Sequence, residues 1–179
     1  MRPRIVTSFS GMNAYMHPHS FVRLPNGHVL ATLQHLHNGR KPSQLGATGG
    51  LVEIDDNGKL IRSASNADPA FPDALLMPYG LVVLPDKNRV VSTNSSMHDD
   101  DLFSGVTFQI WRLSDLKLLQ TAYFDVGKNQ YGHISPEEPR RGPDGSIYVQ
   151  TRGCGMEPAL ATKGAYPRTW DVSLAYTDL

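Results

Sequence analysis

The sequence predicts an all-β chain built from a repeated four-stranded unit. Three observations carry that expectation. Short runs rich in β-formers alternate with turn signals along the whole chain. The 179 residues include 16 glycines and 13 prolines, so roughly one residue in six interrupts regular structure, which favours many short strands over a helical bundle. The chain also matches itself at a spacing close to 60 residues, the kind of period that marks repeat architectures.

Taken in chain order, the first unit opens with "HSFVRL" and "HVLATLQ", joined by Pro25-Asn26-Gly27, a hairpin signal. "GLVEID" and "KLIRSA" follow, joined by Asp-Asn-Gly, with Val52 and Ile54 alternating with Glu53 and Asp55. That period of two predicts strands with one buried face. The second unit repeats the pattern as "VLPDKNRVVSTN" from Val83 and "QIWRLSDLKLLQTAY" from Gln109, and the third as "RGPDGSIYVQTR" from Arg141. The turn prolines Pro25, Pro85 and Pro143 stand 60 and 58 residues apart, Lys59 and Lys117 stand 58 apart, and Trp170 follows Trp111 by 59. "LSDLKLLQ" alone resembles a helical turn, but its repeat partner "IDDNGKLI" does not. Four strands in each unit describe a β-propeller blade with long loops. The blades fall at about 15–72, 78–127 and 132–179, a single partial propeller domain. Propellers close with about four to eight blades, so this count predicts a piece of a longer protein.

Composition narrows the partners. Lysine and arginine total 17 against 17 acidic residues, which gives no basic surface for nucleic acid. No apolar run reaches the length of a membrane span, and the N-terminus lacks the apolar core of a secretory signal. The single cysteine, Cys154, rules out an internal disulfide framework and any zinc site of the CxxC type. These features lead to the expectation of a cytoplasmic protein acting on a small molecule. They leave its oligomeric state open.

The repeat also nominates a site. Aligning Leu24, Leu84 and Gly142 superposes Pro18, Pro78 and Pro136. The residues just after these prolines are His19, Tyr79 and Glu137, and those just before are His17, Met77 and Ser135. Equivalent positions in a propeller surround one axis, so an imidazole, a phenol and a carboxylate are expected to converge at one mouth of the channel. Such a set suits metal binding or proton transfer. His17 and His133 extend the candidate metal set of His19 and Glu137. The alternative is that these groups only hydrogen-bond the loops around a wet channel. Other features carry less. His35 and His37 have a ligand-like spacing but also fit a solvated strand end. "MHDDD" at Met97–Asp101 lacks the glycine and distal glutamate of a calcium loop. "GATGG" at Gly46–Gly50 precedes a strand and lacks the lysine of a phosphate loop. Cys154 fits a small buried hydrophobe as well as a soft ligand, and Trp111 and Phe108 fit the core.

The ordered set "PRIVTSFSG", "HPHSFVRLPNGHVLATLQ", "GGLVEIDDNGKLIRSAS", "VLPDKNRVVSTNSSM", "FQIWRLSDLKLLQT", "PEEPRRGPDGSIYVQT" and "GCG" resembles the selenium-binding protein family, which includes methanethiol oxidases. The resemblance runs from about Pro3 to Met156. It implies a seven-bladed β-propeller with a histidine-lined central site that uses copper. It also implies an oxidoreductase that converts methanethiol and oxygen to formaldehyde, hydrogen sulfide and hydrogen peroxide. His19 matches the family's histidine at this inner strand, and Val22 stands where the family often has a second one. Glu137, Glu138 and Arg140 match an acidic-basic segment before the next blade, and Cys154 matches a Gly-Cys pair. The cysteine that the family associates with selenium lies N-terminal to the matched region. Two other readings stay open: a non-catalytic propeller scaffold, and a calcium-dependent lactonase-like hydrolase using Glu137 or Glu138 with Asn94.

Overall fold

Strands form where the sequence places its β-branched and alternating runs. A computed structural model describes residues 16–35, 49–67, 75–97, 105–125, 133–136, 138–149, 151–154 and 169–170. The described structure is all-β. Strands β1 (Met16–Arg23), β2 (Val29–His35), β3 (Gly50–Ile54) and β4 (Leu60–Ser65) make the first antiparallel sheet, in chain order. Strands β5 (Leu75–Leu84), β6 (Arg89–Met97), β7 (Gly105–Arg112) and β8 (Leu118–Asp125) make the second in the same way. In the third unit β9 (His133–Pro136) pairs with β12 (Thr151–Cys154), which pairs with β13 (Thr169–Trp170). A small hairpin, β10 (Arg140–Arg141) with β11 (Ile147–Tyr148), sits at its tip. Among the described residues no helix is long and apolar enough to cross a membrane.

The tight turns follow from their residues. Gly27 and Gly145 take φ of 87° and 84° in the Pro-Asn-Gly and Pro-Asp-Gly turns, where a side chain would be strained. The second unit has one more residue at this turn. Pro85–Lys87 forms a short 3-10 turn there, and Asn88 supplies the left-handed position at φ 53°. Gly50 has a different role. A Cβ on it would lie 2.0 Å from the Ala64 carbonyl oxygen, so only glycine lets β3 and β4 approach this closely. This accounts for the glycine pair at the end of "GATGG".

Sheet 2 is the middle layer. On one face Trp111, Val90 and Leu81 pack with Leu24, Leu30 and Leu51 of sheet 1. On the other, Val91, Val106, Phe108 and Ile110 pack with Ile147 and Val149 of the third unit. Alternate residues of β6 and β7 therefore serve two interfaces, as the pleat requires.

Two expectations are corrected. The alternation in "GLVEID" predicts an exposed Glu53, yet every residue of β3 is buried and Glu53 is 2 % exposed. Its charge is tolerated because Arg62 Nη2 lies 2.5 Å from Oε2 and His28 Nδ1 2.6 Å from Oε1. Trp170 was expected at the position of Trp111. It pairs with Thr151, whose partner Pro136 is the equivalent of Pro78. Pro78 pairs with Asn94 and Asn94 with Thr107, so Trp170 occupies the register position of Thr107. Linear spacing does not count the extra turn residue or the loop lengths between strands.

Candidate functional site

Pro18 and Pro78 lie within strands that lack an N–H at that point. Both strands, β1 and β5, are sheet edges, where proline is tolerated. Pro136 ends β9, also an edge. Just after Pro18 and Pro78 the pairing slips. Pro18 is opposite Leu33 but Phe21 is opposite Ala31, and Pro78 is opposite Asn94 but Leu81 is opposite Ser92. The extra residue makes a bulge, a device that bends a strand and re-aims a side chain, and bulges are over-represented beside active sites. His19 and Tyr79 occupy these two bulges.

Threonines on the neighbouring strands hold these bulges. Thr32 Oγ1 accepts the Ser20 N–H at 2.9 Å and donates to the Tyr79 carbonyl at 3.1 Å. Thr93 Oγ1 accepts the Gly80 N–H at 3.0 Å. The Leu81 N–H in turn donates to Glu138 Oε2 at 3.4 Å. The first bulge is thus tied to the second, and the second to the segment after Pro136. One result is that the His19 and Tyr79 rings lie 4.4 Å apart between centroids, tilted by 58°. His19 is exposed and Tyr79 is 7 % exposed. The pair therefore presents an accessible imidazole backed by a buried aromatic ring, and an imidazole is a group that can move a proton.

The other nominated residues fall as follows. Glu137 lies outside the described residues, as do the side chains of His17 and His133. His37 and residues 98–101 of the "MHDDD" stretch also lie outside. His133 and Cys154 are register partners across β9 and β12. Val22 belongs to the apolar contact between sheets 1 and 2. Asn94 is 0 % exposed. Its Nδ2 donates to the Thr107 carbonyl at 3.4 Å and its Oδ1 accepts from Asn66 at 3.4 Å, so its amide is committed to the seam between the sheets.

Among the described residues no three His, Cys, Asp or Glu side chains gather closely enough to hold a metal ion. His19 is the one nominated histidine whose side chain is described. A copper site needs several imidazole or thiolate ligands, and the side chains of His17, His133 and Cys154 lie outside the described residues. No chemical step is routed through copper.

Residue types at repeat positions did not reveal everything. The bulges leave no mark in the sequence beyond the prolines before them. Thr32 and Thr93 were legible only as β-formers, because the extra turn residue shifts the second by one against an ungapped alignment. The Glu53 cluster was hidden by the apparent alternation. Glu53 also accepts from Arg62 Nε at 2.6 Å, and Arg62 reaches the Leu113 carbonyl at 2.9 Å and the Ser114 carbonyl. Burial by itself would raise the Glu53 pKa. The hydrogen bonds from His28 and Arg62, with the Arg62 charge, outweigh that and hold the carboxyl below its ordinary value of 4.5. This is an inter-sheet tie rather than a reactive group. No family model and no curated protein matches this chain.

Proposed function

We propose that the chain is part of a β-propeller of the selenium-binding protein kind. In this reading the bulges after Pro18 and Pro78 line a small-molecule site for an oxidoreductase acting on a thiol such as methanethiol. The observation that supports it is the bulge at equivalent positions, which sets the His19 ring 4.4 Å from the Tyr79 ring. In this role His19 takes the thiol proton, a step worth about 10²–10⁴ in rate for a positioned base. Tyr79 packs against the imidazole and fixes its orientation. The redox partner is left to groups beyond the described residues.

The test is turnover of methanethiol by the purified chain and by a version extended to a closed propeller, with sulfide and hydrogen peroxide as readouts and metal content measured in parallel. His19→Ala should lower kcat/KM by at least ~100-fold, and Tyr79→Phe should preserve most activity because the ring remains. Unchanged turnover in His19→Ala, or no turnover at closed-propeller length, overturns the reading.

A second reading, a non-catalytic scaffold that binds a partner through its loops, is favoured by Val22. That residue packs into the apolar contact between the sheets where a second histidine would complete a ligand set. On this reading the chain carries no turnover and His19→Ala leaves partner binding intact.

A further inference from the structure

Three enclosed side-chain oxygens have no hydrogen-bond partner among the described residues: Asn66 Oδ1, Thr107 Oγ1 and Gln109 Oε1. All three residues are 0 % exposed. They belong to one bonded group. Gln109 Nε2 donates to the Asn66 carbonyl at 2.8 Å. Asn66 Nδ2 donates to the Leu76 carbonyl at 2.6 Å and to Asn94 Oδ1 at 3.4 Å. Asn94 Nδ2 donates to the Thr107 carbonyl at 3.4 Å. Thr107 and Gln109 are two apart on β7, so they share the face that carries Trp111 and meets sheet 1.

The amide orientations are fixed by these bonds. The Asn66 and Gln109 nitrogens each already meet a carbonyl acceptor, and rotating either amide would set oxygen against oxygen. The partnerless atoms are therefore acceptors in the two amides, while Thr107 has a hydroxyl that both donates and accepts. Folded proteins almost always supply partners to such atoms. One water molecule matches this set: it donates one hydrogen to each amide oxygen and accepts the Thr107 hydroxyl hydrogen. Three hydrogen bonds is the usual number for a buried water. A cation matches less well. The group contains no carboxylate, and the buried Glu53 is already paired with Arg62 and His28. Among the described residues an enclosed positive charge would find no counter-charge there.

The geometry points to a single structural water held by Asn66 Oδ1, Thr107 Oγ1 and Gln109 Oε1 in the seam between the first two sheets. Its placement gives it a consequence for the candidate site. Asn94 is the register partner of Pro78, Leu76 lies two residues before Pro78, and Thr93 beside Asn94 clamps Gly80. The water thus backs the strand that carries Tyr79. It rests on none of the catalytic readings above.

The experiment is diffraction to atomic resolution from the unaltered chain, crystallised in rubidium chloride, with thermal midpoints compared in sodium, potassium and choline chloride. Water-strength density about 2.7–3.1 Å from the three oxygens is expected, with no rubidium anomalous signal and one midpoint in all three salts. Thr107→Val should lose that density and lower the midpoint, whereas Thr107→Ser should keep both. A rubidium peak identifies a monovalent cation and overturns the inference. So does Thr107 Oγ1 bonded directly to an amide oxygen, or another side chain filling the position. A valine variant that keeps both density and midpoint overturns it too, and the unaltered chain decides the matter if that variant fails to fold.

Discussion

At the scale of single residues, the most informative side chain is Glu53. It is nearly enclosed, it accepts from His28, Arg62 and Asn26, and Arg62 carries the contact on to the turn at Leu113 and Ser114. Its folded pKa lies below its ordinary value of 4.5. The unfolded chain therefore binds a proton at Glu53 more readily than the folded one does. Stability from this group is present above the ordinary carboxylate range and is lost as pH falls through the folded value. The expected outcome is a urea midpoint that drops on acidification below about pH 4.5. In Glu53→Gln the part of that drop owed to this residue should vanish. The same variant should be less stable at neutral pH by about 1–3 kcal/mol, less than for a fully buried ion pair because Arg62 and His28 are partly solvated. Urea titrations of both proteins across the acidic range check both statements.

At the scale of elements, proline, bulge and threonine form one local device used more than once. Thr93 closes the bulge within sheet 2, while Thr32 both closes its own bulge and reaches the Tyr79 carbonyl in the next sheet. Thr93→Val and Thr32→Val should each cost about 1–2 kcal/mol, by equilibrium denaturation. Either variant should loosen the His19–Tyr79 contact, which the histidine ring proton shifts in nuclear magnetic resonance would report. Gly50 marks another fixed point. Its missing Cβ leaves 2.0 Å to a backbone oxygen, and backbone cannot yield as a flexible side chain would. Gly50→Ala should therefore destabilise by at least about 2 kcal/mol or prevent folding. Strands and hairpin turns of this kind were legible in the sequence because Pro-Asn-Gly, Asp-Asn-Gly and Pro-Asp-Gly impose local conformations. The bulges were not, because they depend on which residue of a partner strand lies opposite. The burial of Glu53 was not legible for a related reason: its partner Arg62 lies on the neighbouring strand, and its further anchor lies in another sheet.

At the scale of the whole molecule, the question is whether the two four-stranded sheets behave as separate repeats or as one cooperative body. Repeat proteins divide stability between units and the interfaces joining them. Here the interface is extensive in kind: an apolar cluster containing Leu30, Leu51, Leu81, Val90 and Trp111, the Arg62 bridge, and the Asn66–Asn94–Gln109 amides. Polar ties of this sort fix which strand faces which, and the apolar cluster supplies most of the favourable energy. Leu30 has 0 % exposure and lies in sheet 1, while Trp111 at 1 % reports from sheet 2. Leu30→Ala removes a buried side chain and should cost about 2–4 kcal/mol. If the sheets are coupled, Trp111 fluorescence and far-ultraviolet circular dichroism should still shift to the same lower denaturant midpoint, with Trp170→Phe as background so that one indole is observed. Amide exchange should quicken in β6 and β7 as well as in β2 and β3. A fluorescence midpoint that stays in place while the dichroism transition moves or splits would mean that sheet 2 stands without sheet 1. The seam would then join two independent units instead of making one.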